Sequence, residues 1–206
     1  MSAPTLLLTG FEPFGGEKVN ASWAAAQHLD GWCGEGFSVV ARELPCAYDV
    51  CVAELKRAIE SLRPAALILT GQAARRTMVC VERLARNAAS MTMPDNRGII
   101  RGRAAPPPGP AWLETAAKIG QIARAIRSSG VPARVSMNAG DYVCNHLYYG
   151  TLALLRESLP VRPAVFIHLP ATPEQLPRLA RKKGLPTARA ALALQAAAVA
   201  MMQNCG

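Results

Sequence analysis

The chain has no Cys-x-x-Cys pair, and its six cysteines (Cys33, Cys46, Cys51, Cys80, Cys144 and Cys205) match no zinc-ligand spacing. A zinc ribbon and a thioredoxin-type redox pair are thereby excluded, and the cysteines read as reduced thiols in a cytoplasmic protein. No basic n-region and no cleavage pattern follow Met1, so a secretory signal is not expected. No apolar run reaches membrane-spanning length; the alanine-rich stretch 188–202 contains Gln195 and reads as a buried or interface helix. Aromatic residues make up only 5% of the chain and do not interleave with the basic ones, so base-stacking platforms are lacking. The net charge of +9 therefore points to no nucleic-acid partner, and the one dense basic run, residues 178–183, reads as a solvated surface loop. The glycine-rich GFEPFGG has neither a P-loop nor a dinucleotide fingerprint, and its two Phe around a Pro suit an apolar wall for a small ligand. Histidine is scarce as well: only His28, His146 and His168 offer an imidazole.

What is present is an alternation of short apolar runs and longer helical ones. Half of the 206 residues are hydrophobic, enough for one sizeable domain over residues 1–206. Strands are expected at residues 6–8, 37–44, 65–70, 134–137 and 164–169, the third a continuous apolar run typical of a strand buried on both faces and the last another buried strand. Helices are expected from Ser22, a plausible N-cap, to residue 29, and at 50–62, 111–129, 142–159 and 187–203. Residues 73–103 are polar and weakly patterned, and 104–110 (AAPPPGP) reads as a stiff loop. This order predicts an α/β fold, a three-layer α/β/α sandwich with a largely parallel, mixed central sheet, whose sites gather at the carboxyl ends of strands.

One stretch combines these signals with chemistry. AGDYVCNH, residues 139–146, reads as a turn between a strand and a helix, with Cys144 at the helix entrance. Free N–H groups and the helix dipole there favour a thiolate, the form that attacks carbonyls. The bland reading is an inert buried thiol. Among the histidines, His28 lies within a helix, and His146 stands at i+2 from Cys144, where side chains do not face each other. His168 closes the strand 164–169, on the sheet edge where Cys144 is expected. An acidic residue should orient the imidazole. Glu12, Glu43, Glu82, Asp95 and Asp141 are the candidates near strand ends, and pattern does not choose between them. Glu12 and Asp95 look like turn formers, and Asp141 reads as an N-cap for the residue 144 amide.

The ordered blocks LLTGFEPFGG, VNASW, GQAARR, VERLARN, PDNRG, GPAW, AGDYVCNHLYYG and FIHLPATPEQ span nearly the whole chain. In their order and spacing the chain resembles the pyroglutamyl peptidase I family of cysteine peptidases. The resemblance implies removal of an N-terminal pyroglutamyl residue through a thioester, with no metal or organic cofactor, in a dimer or tetramer. It further implies Cys144 as nucleophile, His168 as general base and acid, and Glu82 as its orienting group. The lactam ring would sit against Phe11 and Phe14, near Gln72, Tyr142 and Val143. The chain departs from the family at Thr92, where an arginine is usual, and at Asp141, where a small hydroxyl residue is usual. It also departs at Ala73-Ala74, where two glycines are usual. Thr92 and Asp141 motivate a second reading, an amidohydrolase of altered substrate; Thr92 and the glycine replacements motivate a third, a binding protein without catalysis.

Overall fold

The computed structural model describes residues 3–103, 108–157, 163–179 and 183–203. Nine strands and six α-helices occur among them. The strands are β1 (Thr5–Phe11), β2 (Cys33–Gly34), β3 (Phe37–Leu44), β4 (Ala66–Gln72), β5 (Val79–Glu82), β6 (Leu84–Arg86), β7 (Trp112–Glu114), β8 (Ala133–Ser136) and β9 (Ala164–Leu169). The helices are α1 (Ala21–Ala26), α2 (Val50–Leu62), α3 (Ile119–Ser128), α4 (Val143–Glu157), α5 (Leu176–Leu179) and α6 (Thr187–Met202). Seven strands form one sheet in the order β2-β3-β1-β4-β9-β5-β8, and β6 pairs with β7. β3, β1, β4 and β9 are parallel, whereas β5 lies antiparallel to β9 and carries β8 parallel to itself. The expected mixed α/β sandwich is present.

Strand alternation sorts the core into two layers. Leu6, Leu8, Ile68, Val79, Val81, Val165 and Ile167 pack with α1, α3 and α6. Leu7, Leu67, Leu69, Ala164 and Phe166 pack with α2 and α4. By the same period of two, Gly71 on β4, His168 on β9 and Glu82 on β5 face the α2/α4 layer. Sheet register reinforces this: Gly71 stands opposite His168, and Cys80 opposite His168 on the other flank.

Several expectations are corrected. The first helix is capped by Asn20, whose Oδ1 accepts from the Ser22 N–H at 3.0 Å; Ser22 lies inside the helix and its Oγ accepts from the Phe11 N–H. Residues 79–86, read as unpatterned, contain β5 and β6. The helix expected from residue 111 starts at Ile119, because Leu113 is drawn into a strand pair opposite buried Ala85. Tertiary pairing overrides local helix preference there. Residues 104–107 of the stiff loop, 180–182 of the basic run and 158–159 of the α4 expectation lie outside the described residues. Among the described residues no helix is long and apolar enough to cross a membrane.

Candidate active site

The expected shared edge for Cys144 and His168 does not arise as reasoned. β8, which leads to α4, runs antiparallel to β9, so its end at Ser136 aligns with Glu82, itself opposite Phe166. The connecting loop 137–142 instead turns at Gly140, with φ of 86°, and delivers the entrance of α4 onto the sheet. There the Cys144 Sγ rests on Gly71: a Cβ built on that glycine would lie 2.6 Å from the sulfur and 2.9 Å from the Phe166 ring. Only glycine lets the Cys144 sulfur reach the strand that pairs with His168.

His168 is buried, with its ring 4.8 Å from that of Phe166. Its Nδ1 lies 2.8 Å from Glu82 Oε1. A carboxylate only accepts, so Nδ1 carries the hydrogen and Nε2 keeps its lone pair. Glu82 itself is fully buried; its Oε1 also accepts from Arg76 Nη1 at 2.6 Å, and its Oε2 has no hydrogen-bond partner among the described residues. Tyr148 donates to the Glu82 carbonyl oxygen at 3.0 Å, which fixes the end of β5 beneath α4.

The other acidic candidates are used elsewhere. Glu12 accepts from the Cys46 N–H and from Asn96 Nδ2. Asp95 accepts from the N–H groups of Tyr48, Arg97 and Ile99, a turn former as expected. Glu43 and Asp141 are exposed, and among the described residues no side-chain bond joins Asp141 to the residue 144 amide, so the expected cap is not formed. His146 pairs with Asp49 at 3.1 Å and His28 lies exposed in a short turn of helix.

The electrostatics overturn one expectation. Burial pushes the Cys144 thiol well above its ordinary value, with Cys46, Cys51 and Glu82 adding to the rise. Burial likewise holds the His168 imidazole below its ordinary value; the Glu82 hydrogen bond and charge oppose this and Arg76 adds to it. A helix terminus favours an anion by about 0.3–2 kcal/mol. Desolvating an ion costs several kcal/mol, so the burial wins. Both shifts favour the uncharged form of each group.

The expected ligand wall is partly assembled. Phe14 is half-buried with its ring 5.9 Å from Tyr142, whose hydroxyl donates to the Pro94 carbonyl at 2.9 Å. Phe11 and Val143 are core residues, 2% and 0% exposed. The Gln72 amide is anchored through Oε1, which accepts from the Ala21 N–H at 2.7 Å. Thr92 is exposed, its N–H turned toward Ser90 Oγ. A groove of about 650 Å³ lies between α2 and α4, and neither Cys144, His168 nor Glu82 lines it. Chemistry, not volume, locates this site.

Two residues escaped the sequence reading. Arg76 was indistinguishable from Arg75 until the turn 73–76, closed by Arg76 N–H to Ala73 O at 2.9 Å, aimed it inward. Asn145 binds Arg86 N, Arg86 O and Ala88 O, fastening β6 to α4 beside the nucleophile.

The profile described as pyroglutamyl peptidase matches residues 5–204. The chain is 42% identical to the pyrrolidone-carboxylate peptidase of Klebsiella pneumoniae strain 342, over 97% of this chain and 94% of that one. It is 46% identical to the one from Chromobacterium violaceum, over 83% and 80%. Its fold matches pyroglutamyl peptidase I of Bacillus amyloliquefaciens with a TM-score of 0.92 at 37% identity, covering 97% of this chain and 95% of that one.

Proposed function

The chain belongs to the pyroglutamyl peptidase family, and from that premise we propose how its residues carry out the family's thiol chemistry. The enzyme is a cysteine peptidase that removes an N-terminal pyroglutamyl residue from peptides. Cys144 Sγ attacks the pyroglutamyl carbonyl carbon as its proton passes to His168 Nε2. Burial disfavours the charged form of both groups, so in this reading proton transfer accompanies the attack instead of preceding it. The N–H groups of the first turn of α4 have no partners within their own helix and are the donors for the developing oxyanion. Collapse breaks the C–N bond, and Nε2–H protonates the departing amine. Water then gives a proton to Nε2, attacks the thioester and releases pyroglutamate, and the thiol recovers its proton. Glu82 holds Nδ1–H and stabilises the imidazolium through both halves.

The lactam ring is assigned to the recess beside Phe11, Phe14, Gln72, Tyr142 and Val143. Phe14 and Tyr142 supply an aromatic wall, and Gln72 is held by its carbonyl oxygen with its NH2 group left to meet a lactam oxygen. The cycle as written uses no metal or organic cofactor. We assign the activity to one domain, in the cytoplasm, in a homo-oligomer of two or four chains; light scattering of the pure protein measures the last of these.

The Glu82–His168 bond, beside a thiol seated on Gly71, carries this reading. The test is hydrolysis of a pyroglutamyl-coumarin amide between about pH 6 and 9. Wild type releases the fluorophore and Cys144→Ser loses at least about a thousandfold in kcat, the range seen when a nucleophile is removed. A wild-type protein that shows no thiol-dependent turnover removes the reading. Turnover of other N-acyl amides in its place would favour an altered substrate, for which exposed Thr92 and Asp141 are the motive.

A further inference from the structure

Arg76 makes three bonds that the reaction cycle above does not use. Nη1 reaches Glu82 Oε1 at 2.6 Å and Ser136 Oγ at 3.2 Å, and Nη2 reaches the Asn138 carbonyl at 2.6 Å. The side chain is 19% exposed and the carboxylate it meets 0%, so this pair is shielded from water. A buried carboxylate without a cation is costly, and here the second oxygen, Oε2, already lacks any partner among the described residues. Asn138 belongs to the loop that turns at Gly140 and carries Cys144. One guanidinium thus touches both the acid behind the base and the approach to the nucleophile. The forked, planar donor set suits that double duty, and a lysine has one point of attachment.

We propose that Arg76 is a positioning residue of this active site, holding Glu82 as the buried carboxylate behind His168 and tying it to the loop that presents Cys144. The inference rests on the roles assigned above to Glu82 and His168. With Arg76 in place, the Arg76–Glu82–His168 cluster carries no net charge while the imidazole is neutral. Protonating His168 then leaves one buried positive charge. Without Arg76 the resting cluster is a buried anion, and a proton on His168 neutralises it. Removing Arg76 therefore makes His168 bind its proton more tightly. The other groups facing this pair are the Cys144 thiol from α4, the Tyr148 hydroxyl on the Glu82 carbonyl and, across β8, Arg134, which feels the Glu82 charge. None of them replaces a cation bonded to Glu82 Oε1.

The test follows the His168 ring resonance by NMR across pH in wild type, Arg76→Met and Arg76→Lys, a readout independent of any substrate. The Arg76→Met midpoint rises by about one pH unit, a tenfold gain in proton affinity. Arg76→Lys keeps the countercharge and titrates with wild type, while turnover of the pyroglutamyl amide still falls severalfold through kcat because the Asn138 tie is lost. If Arg76→Met does not fold, Arg76→Lys decides: a displaced midpoint or wild-type kcat overturns the proposal. An Arg76→Met midpoint equal to wild type also overturns it. Wild-type protein without turnover but with the displaced Arg76→Met midpoint defeats the substrate assignment and leaves the countercharge role standing.

Discussion

Gly71 shows how one missing atom sets the site. Alanine there would put a methyl 2.6 Å from Cys144 Sγ and 2.9 Å from the Phe166 ring, both held in a packed layer. Gly71→Ala is expected to cost about 1–3 kcal/mol of stability, the range for overpacking a core, and at least about tenfold in kcat/KM. Urea unfolding and steady-state kinetics measure the two losses. Protonation gives a second expectation at this scale. Burial lowers the His168 value, so the base stays competent below 6.5, and the acid limb of kcat/KM lies below that pH. The raised Cys144 thiol predicts an iodoacetamide rate still climbing through pH 9. A rate plateau between pH 6 and 8 would mean a preformed thiolate–imidazolium pair.

At the scale of elements, α4 is held to the sheet by polar ties as well as apolar packing. Asn145 is fully buried and forms three bonds to the backbone of the 86–88 segment. Asn145→Ala leaves three backbone groups unpaired, with an expected loss of about 2–4 kcal/mol in urea unfolding; a fully buried unsatisfied group costs about 1–3 kcal/mol, and these cost less each because Arg86 and Ala88 are exposed and water reaches them. A loss below about 1 kcal/mol would mean the segment re-pairs without the helix. Elements with strong local periodicity were legible: 37–44, 50–62 and 164–169 stand as read. β5, β6 and β7 were not, because strands of three or four residues take their conformation from distant partners. The helix start at Ile119 was hidden for the same reason. Cys144 and His168 emerged from position and chemistry; Glu82 required the family resemblance, since nothing local separates VCVE from the other acidic strand ends.

For the whole molecule, the reversal of β5 and β8 changes how the proposed triad is built. Glu82 comes from an antiparallel strand, His168 from a parallel one, and Cys144 from the first turn of α4, which the loop 137–142 delivers onto the sheet. Strand direction is set by chain reversals in the 73–78 and 137–142 loops, which carry no periodic signal, so the direction was not readable. The same architecture buries His168 and half-buries His146, and burial makes both resist protonation. Between their lowered values and the ordinary 6.5, the unfolded chain binds more protons than the fold. Stability therefore falls as pH drops below about 6.5, by up to about 1.4 kcal/mol per unit for each histidine. Urea midpoints at pH 7.5 and 5 measure it, and equal midpoints would contradict the buried neutral assignment.

The central claim is that Cys144 carries the pyroglutamyl group covalently between two proton transfers at His168. Mixing the enzyme with an activated pyroglutamyl ester, quenching in acid within a single turnover and mapping the adduct by mass spectrometry tests it most directly. The account predicts one pyroglutamyl group on Cys144, lost on brief incubation before the quench and lingering in His168→Ala. Turnover with no adduct, or an adduct on another residue such as Cys46, would contradict it.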